Sequence, residues 1–207
     1  MTSDRQVLAG GGCQSNRYGG VVSADTKLEC LVGGEWLAHS FAPVFHVPDR
    51  GATNKRLVAG VPDGDPSLFA GLLGCLSPPY FLLYVLHTPR GEAQPGRYQS
   101  PALSLEQTTS FLDQFGTFLR ADARYDLWGH SPHDNATVVW DRHNLLYGYG
   151  PVELYQARLI DLGFSIDVPV VPSPHQHCYR RDLDSMAKSV IEAFDWSFSE
   201  LRPEDEQ

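Results

Sequence analysis

The sequence predicts an α+β protein, an antiparallel sheet with helices packed on one face. Three observations carry that prediction. From residue 65 onward the hydrophobic periods give the order α β α β β β α β α, without the strict alternation of a doubly wound parallel sheet. The run "YFLLYVLH" (80–87) is nearly all apolar, has the length of a strand and is bounded by prolines, so it reads as a central strand covered on both faces. The stretch "YDLWGHSPHDNATVVWDRHNLLYGYG" (125–150) is aromatic and β-branched, punctuated by "SPHDN" and "DRHN". It reads as a three-stranded meander with turns at 131–135 and 141–144. A single long strand across 136–149 is the competing reading.

The elements follow in order. Residues 1–64 are rich in Gly, Pro and turn formers and show no helical period. They read as an irregular extension with short strands at "KLECLV", "EWLAHSF" and "PVFHV", a turn at Gly33-Gly34, and a poorly ordered arm over 1–26. Asp65-Pro66 is a cap followed by a first-turn proline. It opens a helix with Leu68, Phe69, Leu72, Leu73 and Leu76 on one face, stopped at Ser77 by "SPP". A long Gly/Pro loop covers 88–101. Helix 104–121 opens on the capping box Ser104-Leu105-Glu106-Gln107 and buries Phe111, Leu112, Phe115, Phe118 and Leu119. Pro151 and Gly163 bracket a third helix. "FSIDVPVVP" reads as an edge strand because Pro169 cannot donate to a ladder. Asp182 caps a last helix that carries Leu183, Met186, Ala187, Val190, Ile191 and Phe194. On this reading 65–200 is one α+β domain and 201–207 a solvated tail.

The net charge of −9 and pI near 5.2 disfavour nucleic acid, since phosphates repel an acidic chain that lacks a concentrated basic patch. The longest apolar run is far too short for a bilayer, and the N-terminus lacks the basic and apolar regions of a secretory signal. The four cysteines form no CxxC pair. Together these predict a cytoplasmic protein with reduced thiols, in which the sequon at Asn135 is coincidental.

Most named catalytic signatures are missing. The sequence has no GxxxxGK[ST] loop, no GxGxxG after a strand, no HExxH, and no histidine followed two places later by Ser or Thr. "GHSPH" resembles a nucleophile elbow around Ser131, but His133 replaces its second glycine and Pro132 removes an amide that an oxyanion hole would use.

Two function classes remain. The first is a small acidic protein-binding module of regulatory or immunity-inhibitor type, without catalysis or cofactor. It would steer a basic partner onto Trp128, Trp140, Tyr147, Tyr149 and Arg90. The second is a metal-dependent hydrolase. If the meander holds, counting strand directions brings His87, His130, His133, His175, His177 and Cys178 to one end of the sheet, and leaves His143 at the other. With Asp134, these are ligand types suited to zinc. His175 and His177, two apart on an extended segment, would point the same way. The loop 88–101 would act as a lid, with Arg90 steadying an anion. A Cys178–His nucleophilic pair, activated by Arg180 and Arg181, is a further variant. The plain alternative for all these histidines is local hydrogen bonding in turns, and for the aromatics, burial in the core.

Overall fold

The computed structural model describes residues 25–48 and 55–205. In chain order they form β1 (Leu28–Val32), β2 (Glu35–Ala38), β3 (Val44–His46), β4 (Arg56–Gly60), α1 (Pro66–Leu73), β5 (Phe81–Leu86), β6 (Gly96–Gln99) and α2 (Leu105–Ala121). There follow β7 (Tyr125–Ser131), β8 (Ala136–Trp140), β9 (Leu145–Tyr149), α3 (Val152–Asp161), β10 (Ser165–Ile166), β11 (His175–His177), α4 (Asp184–Glu192) and β12 (Ser197–Ser199). A small sheet runs β11-β1-β2. The large one runs β10-β3-β4-β9-β8-β7-β5-β6-β12 and is antiparallel except at the β10–β3 pair. The α+β architecture expected from the sequence is the one observed.

Strand alternation sorts the large sheet into two faces. Leu57, Leu82, Tyr84, Leu127, Val138, Trp140 and Leu146 are buried on the helix side. α2 meets them with Phe111, Leu112, Phe115, Phe118 and Leu119, each 3% exposed or less. Its start is fixed by the full capping box: the Gln107 amide donates to Ser104 Oγ, and the Ser104 amide donates to Gln107 Oε1. Burying each of these large side chains contributes about 1.5–3 kcal/mol, so this one helix face supplies much of the hydrophobic stabilisation. Arg56, Trp128, Thr137, Val139 and Tyr147 stand on the opposite face.

Several expectations need correction. The sequence marks no strand at Arg56–Gly60, yet β4 and β3 pair into the large sheet, and Phe45, Leu57 and Ala59 belong to its core. Strands on both sides of the change in composition near residue 64 thus share one sheet. The arm over 1–26 lies outside the described residues up to 24; Thr26 and Lys27, just beyond, are buried. α1 ends at Leu73, where Gly74 follows, rather than at Ser77. The loop 88–101 contains β6, which pairs with β5 and β12. In the stretch after α3 only Ser165–Ile166 pairs, at the sheet edge as expected. Asp182 makes no cap bond: a 3₁₀ turn (Arg181–Leu183) precedes α4, whose first flank is Leu183. The tail docks. Asp205 is buried, pairs with Arg97, and accepts from the Arg202 amide at 2.8 Å.

Candidate metal centre

The meander folds back twice, as the sequence suggested, with Asn135 and Asn144 taking positive φ in its two turns. The second turn is built by Asp141. Its Oδ1 accepts the amides of His143 (2.9 Å) and Leu145 (2.8 Å), while Asn144 Oδ1 accepts the Trp140 indole N–H (3.0 Å). The turn is tied to the small sheet by Lys27, whose ammonium donates to the Asp141 carbonyl (3.1 Å) and lies 4.5 and 4.2 Å from the ring centres of Tyr125 and Trp140. Burial lowers the Lys27 pKa to about 7.

Against this turn β11 presents His175 and His177. The strand alternates, so both point one way while Gln176 points the other and donates to Glu29. The register with β1, Leu28 opposite His177 and Cys30 opposite His175, sets their height. His143, His175 and His177 thereby converge: ring centres are 4.8 Å apart for 143–177, 5.5 Å for 143–175 and 5.6 Å for 175–177, and one ring nitrogen from each lies within 4.8 Å of the others.

The protonation of the three rings follows from their partners. His175 Nδ1 lies 2.8 Å from the Pro172 carbonyl, which can only accept, so Nδ1 carries the proton and Nε2 offers its lone pair. His143 Nδ1 lies 3.2 Å from Asp141 Oδ2, which leaves its Nε2 free in the same sense. His177 Nε2 is buried without a hydrogen-bond partner among the described residues. Burial above all, then the charges of His143 and Arg142, lowers the His177 pKa to about 4, so this ring is neutral at pH 7. Carbonyl or carboxylate on one ring nitrogen and a bare second nitrogen is the arrangement of metal-ligating histidines. A zinc ion bonded at about 2.0–2.1 Å would need nitrogens about 3.3 Å apart, so the rings would have to approach by roughly 1.5 Å at most to hold one. His39 Nε2 is likewise buried and unpartnered; it lies close enough to His175 to feel its charge but is not among the converging three.

His143 also lines a cleft of about 460 Å³ on the open face of the large sheet, with Asp126, Val139, Trp128, Tyr147 and Arg56 along its length. Asp126 sits between the two features. Its Oδ2 lies 2.9 Å from His87 Nε2, its Oδ1 accepts the Arg142 amide at 2.8 Å, and its charge reaches His177.

No protein-family model, curated protein or solved structure matches the chain.

The sequence-predicted ligand set is thus only partly assembled. His175 and His177 meet as expected, but their third partner is His143, which strand counting had sent to the other end of the sheet. The error lies in β6. With one more strand between β5 and α2, β7 runs antiparallel to β5, pairing Phe81 with His130 and Leu86 with Tyr125. His87 and the 141–144 turn then share one end, and His130, His133 and Asp134 the other. His130 bonds Thr137 Oγ1 at 3.0 Å. His133 is exposed beside Asp134, which accepts the Ser77 amide and so joins the first turn of the meander to the end of the α1 segment. His87 serves Asp126. Burial pushes the Cys178 thiol up to about 11, which removes the thiolate a nucleophile needs.

The expected binding residues are similarly divided. Trp140 is fully buried in the core, whereas Trp128, Tyr147 and Tyr149 line the cleft. Arg90 is held by Asp184 (3.0 Å) and its amide by Glu92, so the loop is pinned to α4 instead of hanging as a lid.

Proposed function

We propose that this protein is a zinc-dependent hydrolase whose ion is held by His143, His175 and His177. The observation that carries the proposal is the three rings converging, two with Nδ1 engaged and the third bare and neutral. Three protein nitrogens leave one coordination position for water, the arrangement of catalytic rather than structural zinc. When bound, the ion would polarise a carbonyl or phosphoryl oxygen and bring its water to a pKa of about 7. Within that site His143 and His175 are oriented by Asp141 and the Pro172 carbonyl. Asp126, between the histidines and the cleft, would accept the proton of the attacking water, with His87 holding its carboxylate in place. The cleft would hold the substrate next to His143.

A non-catalytic binding module remains the second reading, favoured by Trp128 and Tyr149 lining a cleft of an acidic chain. Cobalt substitution separates the two. The hydrolase reading expects a visible spectrum of four- or five-coordinate Co²⁺ that changes when azide is added, because an open position accepts the anion. A spectrum indifferent to azide would mark a closed, structural ion and sink the hydrolase.

A further inference from the structure

The open sheet face carries a feature that metal chemistry alone does not use. Trp128, Val139 and Tyr147 lie in register on the adjacent strands β7, β8 and β9. All three point into the cleft. Two large rings therefore flank one small residue, with backbones two strand spacings apart, about 10 Å. Each ring is backed from outside by an arginine. Arg56, on β4, sets its guanidinium 5.0 Å from the Tyr147 ring centre. Arg97, on β6, sets its own 5.4 Å from Trp128. Both strands lie on the far side of their ring from β8. With an arginine over the outer side of each ring, a flat group placed midway over Val139 would sit about 5 Å from each, an ordinary stacking distance.

Two donors of the slot lack acceptors. Trp128 Nε1 and Arg56 Nε are both buried with no hydrogen-bond partner among the described residues. None of the cleft's four carboxylates is free: Asp126 is engaged by His87 and the Arg142 amide, Asp141 by two amides and the Tyr147 hydroxyl, Asp205 by Arg97 and the Arg202 amide, and Glu204 has a partner of its own. A buried N–H left unmatched costs free energy that a ligand acceptor would recover. Among the described residues, the only side-chain nitrogen of Arg56 with a hydrogen-bond partner is Nη1, which donates to the Tyr149 hydroxyl at 3.2 Å.

We infer that the slot between Trp128 and Tyr147 binds a small molecule joining a flat unsaturated ring to a carboxylate or phosphate, the ring over Val139 and the anion on Arg56 at the Tyr147 side of the cleft. This names the substrate class of the hydrolase and rests on that reading for turnover, though not for binding. The slot and the three histidines border one cleft, so a ring seated over Val139 leaves the remainder of the molecule extending towards His143.

The test uses the full chain, zinc-loaded and chelator-treated, observed through the indole N–H resonance of Trp128. Benzoate and phenyl phosphate are the probes; cyclohexanecarboxylate, charged but not flat, and benzyl alcohol, flat but uncharged, are the controls. The expectation is that both probes bind at least about tenfold tighter than either control, with or without zinc. Arg56→Gln should remove about that factor, and Val139→Phe should abolish binding while leaving both arginines in place. Equal binding of probes and controls, no binding at all, or indifference to Arg56→Gln would overturn the inference. Binding that requires zinc and ignores Arg56→Gln would put the anion on the ion, ending the slot while sparing the hydrolase. Binding in the slot of a chain that never takes up zinc would do the reverse.

Discussion

Asp141 Oδ2 lies 3.2 Å from His143 Nδ1, while Oδ1 of the same carboxylate holds the amide of that histidine at 2.9 Å. One side chain thus shapes the turn that delivers the imidazole and fixes which ring nitrogen it offers.

The two tasks separate in Asp141→Asn. The amide oxygen still accepts the backbone N–H groups, but the second position no longer favours a protonated Nδ1. Zinc affinity should fall about 10- to 100-fold, read by competition with a chelating dye, with little change in the circular dichroism spectrum. Unchanged affinity would mean that Asp141 builds the turn only.

The pH dependence of the zinc-free protein follows from His177. Its folded pKa, about 4, lies below the ordinary value of 6.5, so between these limits the unfolded chain binds more protons and stability falls as the pH is lowered. Because the ring is partly open to solvent, the loss from pH 7 to pH 4 is about 1–2 kcal/mol rather than the full shift. Urea unfolding at the two pH values should show it, and His177→Gln, which cannot charge, should flatten that part of the profile. An equal slope in the variant would assign the effect elsewhere.

Arg124 tests the structural frame behind the site. It is fully buried and donates to Asp122 (2.8 Å), Glu92 (3.1 Å) and Asp184 (3.0 Å), locking the 88–95 segment and α4 against the strand that follows α2. Arg124→Met should cost about 3–5 kcal/mol, because the Asp122 and Glu92 carboxylates are left buried and unpaired. Adding Asp122→Asn should recover part of that loss in urea unfolding. A single variant as stable as the parent would show that the cluster contributes nothing net.

How far the site was legible depends on which interactions are local. The α2 capping box, the Gly33-Gly34 turn (φ +61° and +92°) and both meander turns were readable, because each is set by residues within four positions. The pairing of His175 with His177 was readable from strand alternation alone. β6 was not: "GRYQ" is short, polar at two positions, and owes its strand conformation to pairing with β5 and β12. Missing it reversed the inferred direction of β7 and misplaced His143, although Asp141 two residues before a histidine in a turn was itself a visible local signal. β11 was similarly hidden, since "HQH" becomes a strand only against β1, some 147 positions away along the chain between Glu29 and Gln176. The docking of Asp205 onto Arg97 is long-range in the same sense, and nothing in "RPEDEQ" distinguishes it from a solvated tail.

The most direct measurement is the metal content of protein prepared without a histidine tag, by atomic emission. The account predicts close to one zinc per chain, retained in His130→Ala and His133→Ala and lost in His143→Ala. Protein without zinc, whose melting temperature is the same with and without chelator, would contradict it.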